Sequence, residues 1–227
     1  MIDALMLYGS AARRDTDENS DIDLLAVCNT DLPYSHKVNG IEIQFMNADK
    51  LIEMGQSGNL FAMHLAYEGQ VIFDFSGHFS RLKDSAVPKK SYSEERKKAL
   101  DLGWFLHDFG EEYDPALVNK RIAWCVRTVV ISLLAEKGEI AFSPAVLAER
   151  FPLYEVPFLI GLRRSNLQSH ARMIRLNSFL MGFCAMRPDA SSPTEFLDYF
   201  NETQNEVAVG TYRQLVKKAE DSFGVYC

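Results

Sequence analysis

The stretch Leu7-Tyr8-Gly9-Ser10-Ala11-Ala12-Arg13-Arg14, followed after a polar loop by Ser20-Asp21-Ile22-Asp23-Leu24, decides how this chain is read. Ala4-Leu5-Met6-Leu7-Tyr8 is a short apolar run closed by Gly9-Ser10, the pattern of a buried strand ended by a turn. Glycine at that point lets the backbone approach a bulky anion, and the serine hydroxyl can bond it. A helix starting there would add its free N–H groups. Asp21 and Asp23 stand two apart at the head of the next strand, Asp21–Val27, so both carboxylates point to one side. Two carboxylates so close repel each other unless a cation lies between them, and magnesium demands hard oxygen ligands.

Working outward, Ile41-Glu42-Ile43-Gln44-Phe45 alternates strictly, with Glu42 and Gln44 on one face and three apolar residues on the other. Glu42 is therefore a candidate third oxygen donor. Taken singly, a Gly-Ser turn, an Asp-x-Asp and a strand glutamate each have an ordinary structural explanation. Joined in this order, they place acids at the end of a buried run, which is electrostatically costly unless something binds there. A phosphate cradle beside carboxylates is what metal-assisted phosphoryl or nucleotidyl transfer requires.

Residues 48–67 are expected to be helical in two pieces broken near Gly55–Gly58, and Val71-Ile72-Phe73 gives a fourth strand ended by Asp74. From Ser91 onward no alternating strand is legible. Ser93 reads as the N-cap of a helix running to Phe109, and Asp114-Pro115 starts a longer one that ends near Glu136-Lys137-Gly138. Ser143-Pro144 opens a short helix, Pro157 one reaching Cys184, and Ser192-Pro193 the last group. The expected class is α+β: a small mixed sheet with helices over residues 1–87, then an all-α helical bundle domain over 88–227, which serves substrate binding or interaction.

The 227 residues, 47% hydrophobic and 24% charged, suit one large domain or two small ones at roughly 100–200 residues each. Residues 1–87 hold 6 Lys+Arg against 13 Asp+Glu, so the whole net charge of −7 sits there. That argues against binding nucleic acid through its phosphates and favours divalent cations or a cationic substrate. No stretch is apolar enough to span a bilayer, so no membrane partner is expected. An acid stands where a secretory signal would carry a base, and Cys28, Cys125, Cys184 and Cys227 show no metal or disulfide spacing. Cytoplasmic localisation is the expectation, and a homodimer is left open.

Gly9-Ser10 followed about ten residues later by Ser20-Asp21-Ile22-Asp23-Leu24 resembles the signature of the DNA polymerase β-type nucleotidyltransferase superfamily. Within it the chain looks most like the small bacterial minimal and aminoglycoside nucleotidyltransferases. The motif covers residues 7–27, and the likeness extends through Glu42 to the strand at 71–73. The resemblance implies that Gly9 and Ser10 hold a nucleoside triphosphate with help from Arg13 and Ser20. It implies that Asp21 and Asp23 bind two Mg²⁺ ions, with Glu42 as the third carboxylate, completing the metal site or activating the acceptor. The implied reaction is transfer of a nucleoside monophosphate, AMP from ATP first among them, to a hydroxyl of a small cationic acceptor such as an aminoglycoside, hence antibiotic resistance. A protein or RNA acceptor, as in toxin–antitoxin members, and a non-catalytic nucleotide-binding module are the alternatives. Relatives often carry Gly where this chain has Arg14.

The helical half faintly resembles the second domain of aminoglycoside nucleotidyltransferases, which implies an acid lent to the cleft, with Glu136 and Glu139 as candidates by position. Asp108, Glu111, Glu112 and Asp114 are candidates to line a polycation pocket, although Asp114 is already explained as an N-cap. Arg164 and His170 match the loose Arg-x(4–6)-His spacing of HEPN ribonucleases, a spacing that helices produce easily by chance. His64 and His107 read as core packing within apolar helices.

Overall fold

The computed structural model describes residues 1–16, 20–152, 155–183 and 186–223. They divide into two compact units, Met1–Ser91 with Leu134–Ser143, and Tyr92–Leu133 with Pro144–Cys227. The first unit runs β1 (Ile2–Tyr8), α1 (Gly9–Arg13), β2 (Ile22–Cys28), β3 (Tyr34–Val38), β4 (Ile41–Met46), α2 (Ala48–Gln56), α3 (Leu60–Glu68), β5 (Gln70–Asp74) and α4 (His78–Ser85). The sheet order is β3-β4-β2-β1-β5. β2 and β4 are parallel while the other neighbours are antiparallel, so the sheet is mixed as expected.

The register explains where the core lies. Ala4 pairs with Val27 and Met6 with Leu25 across β1 and β2, and Val27 pairs with Met46 across β2 and β4. Paired residues share a face, so these five side chains form one apolar floor. Leu51, Ala62, Leu65, Phe79 and Leu82 from α2, α3 and α4 pack onto it. The helix starts are pinned by short polar side chains. Asn47 accepts from Lys50 N–H at 2.7 Å, and Asn59 from Phe61 N–H and Ala62 N–H at 2.9 and 3.2 Å. Asp74, at the end of β5, accepts from His78 N–H and Phe79 N–H at 2.8 and 2.9 Å.

The same floor does not stop at its apolar part. Continuing the pairing by one step, Tyr8 stands opposite Asp23, and Asp23 opposite Glu42. The polar side of the 41–45 alternation is thus the side that carries Met46 into the core. Ile41, Ile43 and Phe45 lie on the other face, where Phe45 stacks on Tyr34 with centroids 4.6 Å apart.

Two elements were not foreseen in the sequence, β3 and α4. β3 is an edge strand with all five residues exposed, joined to β4 by Asn39-Gly40 with both residues at positive φ.

The second unit is helical, with α5 (Ser93–Phe109), α6 (Pro115–Glu136, whose last turn belongs to the first unit), α7 (Pro144–Arg150), α8 (Val156–Gly161), α9 (His170–Gly182), α10 (Pro193–Glu202) and α11 (Glu206–Phe223). Asp114 caps α6 by accepting from Leu117 N–H at 2.9 Å, and Ser192 caps α10 by accepting from Glu195 N–H at 3.3 Å. Ser93, expected as an N-cap, is instead the first helical residue, and no side chain caps α5.

The single helix expected from Pro157 to Cys184 is interrupted. A 3₁₀ turn at Leu162–Arg164 and an extended segment follow α8, and Ser169 caps α9. Arg164 and His170 therefore do not share a helix. The break is held by Asn119 of α6, which donates to Ser165 O at 2.7 Å and Leu167 O at 3.0 Å and accepts from Arg172 at 2.9 Å. Buried Asp101 ties α5 to α10 by accepting from Lys97 and Tyr199 at 2.8 and 3.0 Å. Burial pushes the Asp101 carboxyl up, against the lowering effect of Lys97 and Tyr199. Cys28 and Cys125 are free thiols, while Cys184 and Cys227 lie outside the described residues. Among the described residues no helix is long and apolar enough to cross a membrane.

Candidate active site

β1 ends at Tyr8 and the chain turns at once into α1, with Gly9 at φ +72°. A side chain there would be strained by its backbone and would also collide with Asp23. An added Cβ would overlap an Asp23 carboxylate oxygen and stand 3.2 Å from its Cγ. Glycine at position 9 therefore does two things: it permits the turn, and it lets the Asp23 carboxylate lie against the backbone. No side chain caps the start of α1. Its end is closed by Arg14 in the left-handed region at φ 61°, a conformation that favours glycine. Ser10 is half-buried on α1, and Ser20 lies one residue before Asp21.

The structure brings Asp23 and Glu42 side by side on β2 and β4, with Asp21 just before β2 begins. The side chains of Asp21 and Glu42 are 39% and 37% exposed, so both are reachable from solvent. Between them lies a residue the sequence reading missed. Lys37 of β3 is the register partner of Glu42, and its Nζ stands 2.5 Å from Asp21 Oδ2 and 3.9 Å from Glu42 Oε2. Its hydrogen bond to Asp21, with the charges of Asp21, Glu42 and Asp23 around it, holds the ammonium above the usual lysine range. Tyr8, beside Asp23 in the register, has its phenol pushed far up, first by burial and then by the Asp23 and Glu42 charges, so it stays protonated.

Arg13 is drawn elsewhere. Its Nε donates to Asp15 at 3.0 Å and its NH1 to Glu68 at 2.9 Å, and His64 Nε2 lies 3.3 Å from the same Glu68 oxygen. The other Glu68 oxygen accepts from Phe142 N–H at 3.0 Å, and Ser143 donates to Asp15 at 3.1 Å. His64 stacks on Phe142 at 4.6 Å. His64 is thus a member of a half-buried ionic brace, where core packing had been expected. Burial pushes the Glu68 carboxyl up, but hydrogen bonds from His64 and Arg13 outweigh it and leave it below the ordinary carboxylate range. The brace fixes the α1 turn to α3 and to residues 142–143.

Among the described residues, no three His, Cys, Asp or Glu side chains are gathered closely enough to hold a metal ion. The donor chemistry nonetheless suits a hard divalent cation: three carboxylates at adjoining positions, with a positive charge already lodged between two of them. Asp21, Asp23 and Glu42 are the residues that could hold a metal, once the Lys37 ammonium gave way and the three carboxylates drew together. Three of the candidates of the helical half have partners of their own. Asp108 bonds His107 at 2.8 Å and is ion-paired with Arg187 at 2.9 Å, Asp114 pairs with Lys218 at 2.9 Å, and Glu111 faces His170 at 3.8 Å.

Residues 1–76 match the family described as Polymerase beta, Nucleotidyltransferase. Those residues form a nucleotidyltransferase domain of the DNA polymerase β type. The matched segment takes in all five strands and with them Gly9, Ser10, Asp21, Asp23 and Glu42. Among solved structures it is similar to the nucleotidyltransferase-like protein from Exiguobacterium sibiricum 255-15, at 17% identity, covering 80% of this chain and 69% of that chain with a TM-score of 0.34. No curated protein matches.

Proposed function

We propose that this nucleotidyltransferase moves a nucleoside monophosphate, AMP from ATP in the first instance, onto a hydroxyl of a small cationic acceptor such as an aminoglycoside and releases pyrophosphate. The observation that carries the reading is the register that lines up Tyr8, Asp23 and Glu42 at the end of the core face, with Gly9 against the Asp23 carboxylate.

Gly9 and Ser10 take the triphosphate: the bare backbone of Gly9 allows close approach, and the Ser10 hydroxyl donates to a phosphate oxygen. Asp21 and Asp23 would hold magnesium with Glu42, and Ser20 flanks the pair. Bound there, magnesium would neutralise phosphate charge and acidify the acceptor hydroxyl. The acceptor oxygen bonds to the α-phosphorus as the bridging α–β P–O bond breaks, and pyrophosphate carries away that electron pair. Glu42, exposed and next to Asp23, takes the hydroxyl proton and passes it to water. Arg13, engaged by Glu68 and Asp15, keeps the α1 turn in place and leaves phosphate contact to Gly9 and Ser10. A cationic acceptor is favoured by the net charge of −7 carried by the first 87 residues.

The test incubates the protein with Mg²⁺, α-labelled ATP, GTP, CTP or UTP and a panel of aminoglycosides, beside the Asp21→Asn plus Asp23→Asn variant. A labelled adduct and released pyrophosphate, both lost in the variant, support the reading. Labelling of protein or RNA in a lysate without any small adduct would move the acceptor to a macromolecule. Absence of pyrophosphate release with every nucleotide and acceptor would leave only a binding module.

A further inference from the structure

Lys37 is built into the carboxylate site in a way the reaction above does not use. It sits within the exposed edge strand β3, pairs in register with Glu42, and places its ammonium within reach of Asp21 and Glu42 at once, at 2.5 and 3.9 Å. An ammonium bonded to Asp21 Oδ2 occupies one of the lone-pair sites that a divalent ion would take, and its charge repels that ion from the others. Lysine suits a temporary occupant. Its charge is compact and strongly hydrated, and it rides on a flexible four-carbon stem. Every residue of β3 is exposed, and the Lys37 side chain is 51% exposed, so the ammonium has room to swing out without disturbing the core.

We propose that Lys37 is a resident counter-ion that competes with the divalent metal, so that the metal enters tightly only together with the nucleotide. The inference rests on the reading of Asp21, Asp23 and Glu42 as metal ligands. Without nucleotide, the lysine neutralises the carboxylates and keeps metal affinity low. When the triphosphate arrives, its negative oxygens offer the displaced ammonium a new partner, and the carboxylates become free for the ion. The device restrains the domain from holding bare metal and links metal capture to arrival of the co-substrate.

The experiment titrates Mn²⁺ into the full chain and follows free ion by electron paramagnetic resonance, with and without a non-hydrolysable ATP analogue. It compares wild type, Lys37→Met, Lys37→Arg and Asp21→Asn plus Asp23→Asn. Without nucleotide, Lys37→Met is expected to bind Mn²⁺ a few-fold more tightly than wild type, the scale set by the exposed lysine–carboxylate pair that the ion no longer has to displace. Lys37→Arg keeps the charge and is expected to bind as wild type. With the analogue present, the gap between Lys37→Met and wild type closes. Equal or weaker nucleotide-free binding by Lys37→Met, or a gap that persists with the analogue, overturns the competition while leaving the metal reading intact. Failure of every variant to bind Mn²⁺ in either condition overturns both.

Discussion

Replacing Gly9 with alanine tests the geometry on which the site depends. The change adds one methyl group where φ is +72°, a region that costs an L residue roughly 1–2 kcal/mol. The same methyl would overlap an Asp23 carboxylate oxygen and stand 3.2 Å from Asp23 Cγ, so the carboxylate or the turn has to move. Loss of glycine's freedom in the unfolded chain offsets about 0.4–1 kcal/mol of this. The net expectation is a destabilisation of about 1–2 kcal/mol. At about 2–4 °C per kcal/mol for a chain of this length, that is a fall in Tm of roughly 2–8 °C by calorimetry. The larger effect is on chemistry, because moving a carboxylate proposed to hold the metal by about an ångström costs on the order of 10²-fold in turnover. Pyrophosphate release measured beside the melting curve separates the two effects. A Gly9→Ala protein that melts within about 1 °C of wild type and turns over at the wild-type rate would refute the apposition of Gly9 and Asp23.

Arg14→Gly relieves a left-handed arginine at the end of α1 and is expected to raise stability by up to about 1 kcal/mol, read from urea unfolding midpoints. Glu68→Gln removes the charge shared by Arg13 and His64 and turns one of its two acceptor oxygens into a donor, which should cost about 1.5–3 kcal/mol at neutral pH. Because the folded-state pKa of Glu68 is depressed, its contribution is fully present above the unfolded value near 4.3 and is lost as pH falls through the folded value. The gap between wild type and Glu68→Gln should therefore hold at neutral pH and close on acidification below about pH 4.3. In the helical unit, Asn119→Ala leaves the buried Arg172 guanidinium without its side-chain acceptor and should cost about 1.5–3 kcal/mol. Arg172→Met, which removes the buried charge itself, should be far milder or stabilising, because Nε and NH2 of Arg172 already lack hydrogen-bond partners. Chemical denaturation of the two variants side by side distinguishes these outcomes.

Much of the first unit was legible because its strands carry strong local patterns. The run at 4–8 and the alternation at 41–45 announce strands, and the two-residue spacing of Asp21 and Asp23 puts both acids on one side. That Glu42 stands beside Asp23 follows only once β2 and β4 are paired in parallel, which no local pattern states. β3 escaped because an edge strand with five exposed residues has no burial signal. The available sign was Asn39-Gly40, a hairpin turn whose two residues both take positive φ. Missing β3 meant missing Lys37. His64 was misread for a related reason: its partners Arg13 and Phe142 lie 51 and 78 positions away, so nothing near it in sequence marks an ionic brace. The break between α8 and α9 is likewise imposed at long range, by Asn119, although Ser165 and Ser169 are the kind of residue that helix ends favour.

The assignment of Leu134–Ser143 to the first unit has a consequence for how this chain can be cut or recombined. The polypeptide passes between the units three times, after Ser91, after Leu133 and after Ser143. A fragment stopped at Ser91 would forfeit Phe142 from the His64 ring and from the Glu68 carboxylate, together with the Ser143 hydroxyl on Asp15. The helical portion is thus no interchangeable cassette. Any graft that replaced it with a foreign bundle would have to return a ten-residue insert carrying an aromatic ring, a backbone N–H and a hydroxyl to the same places.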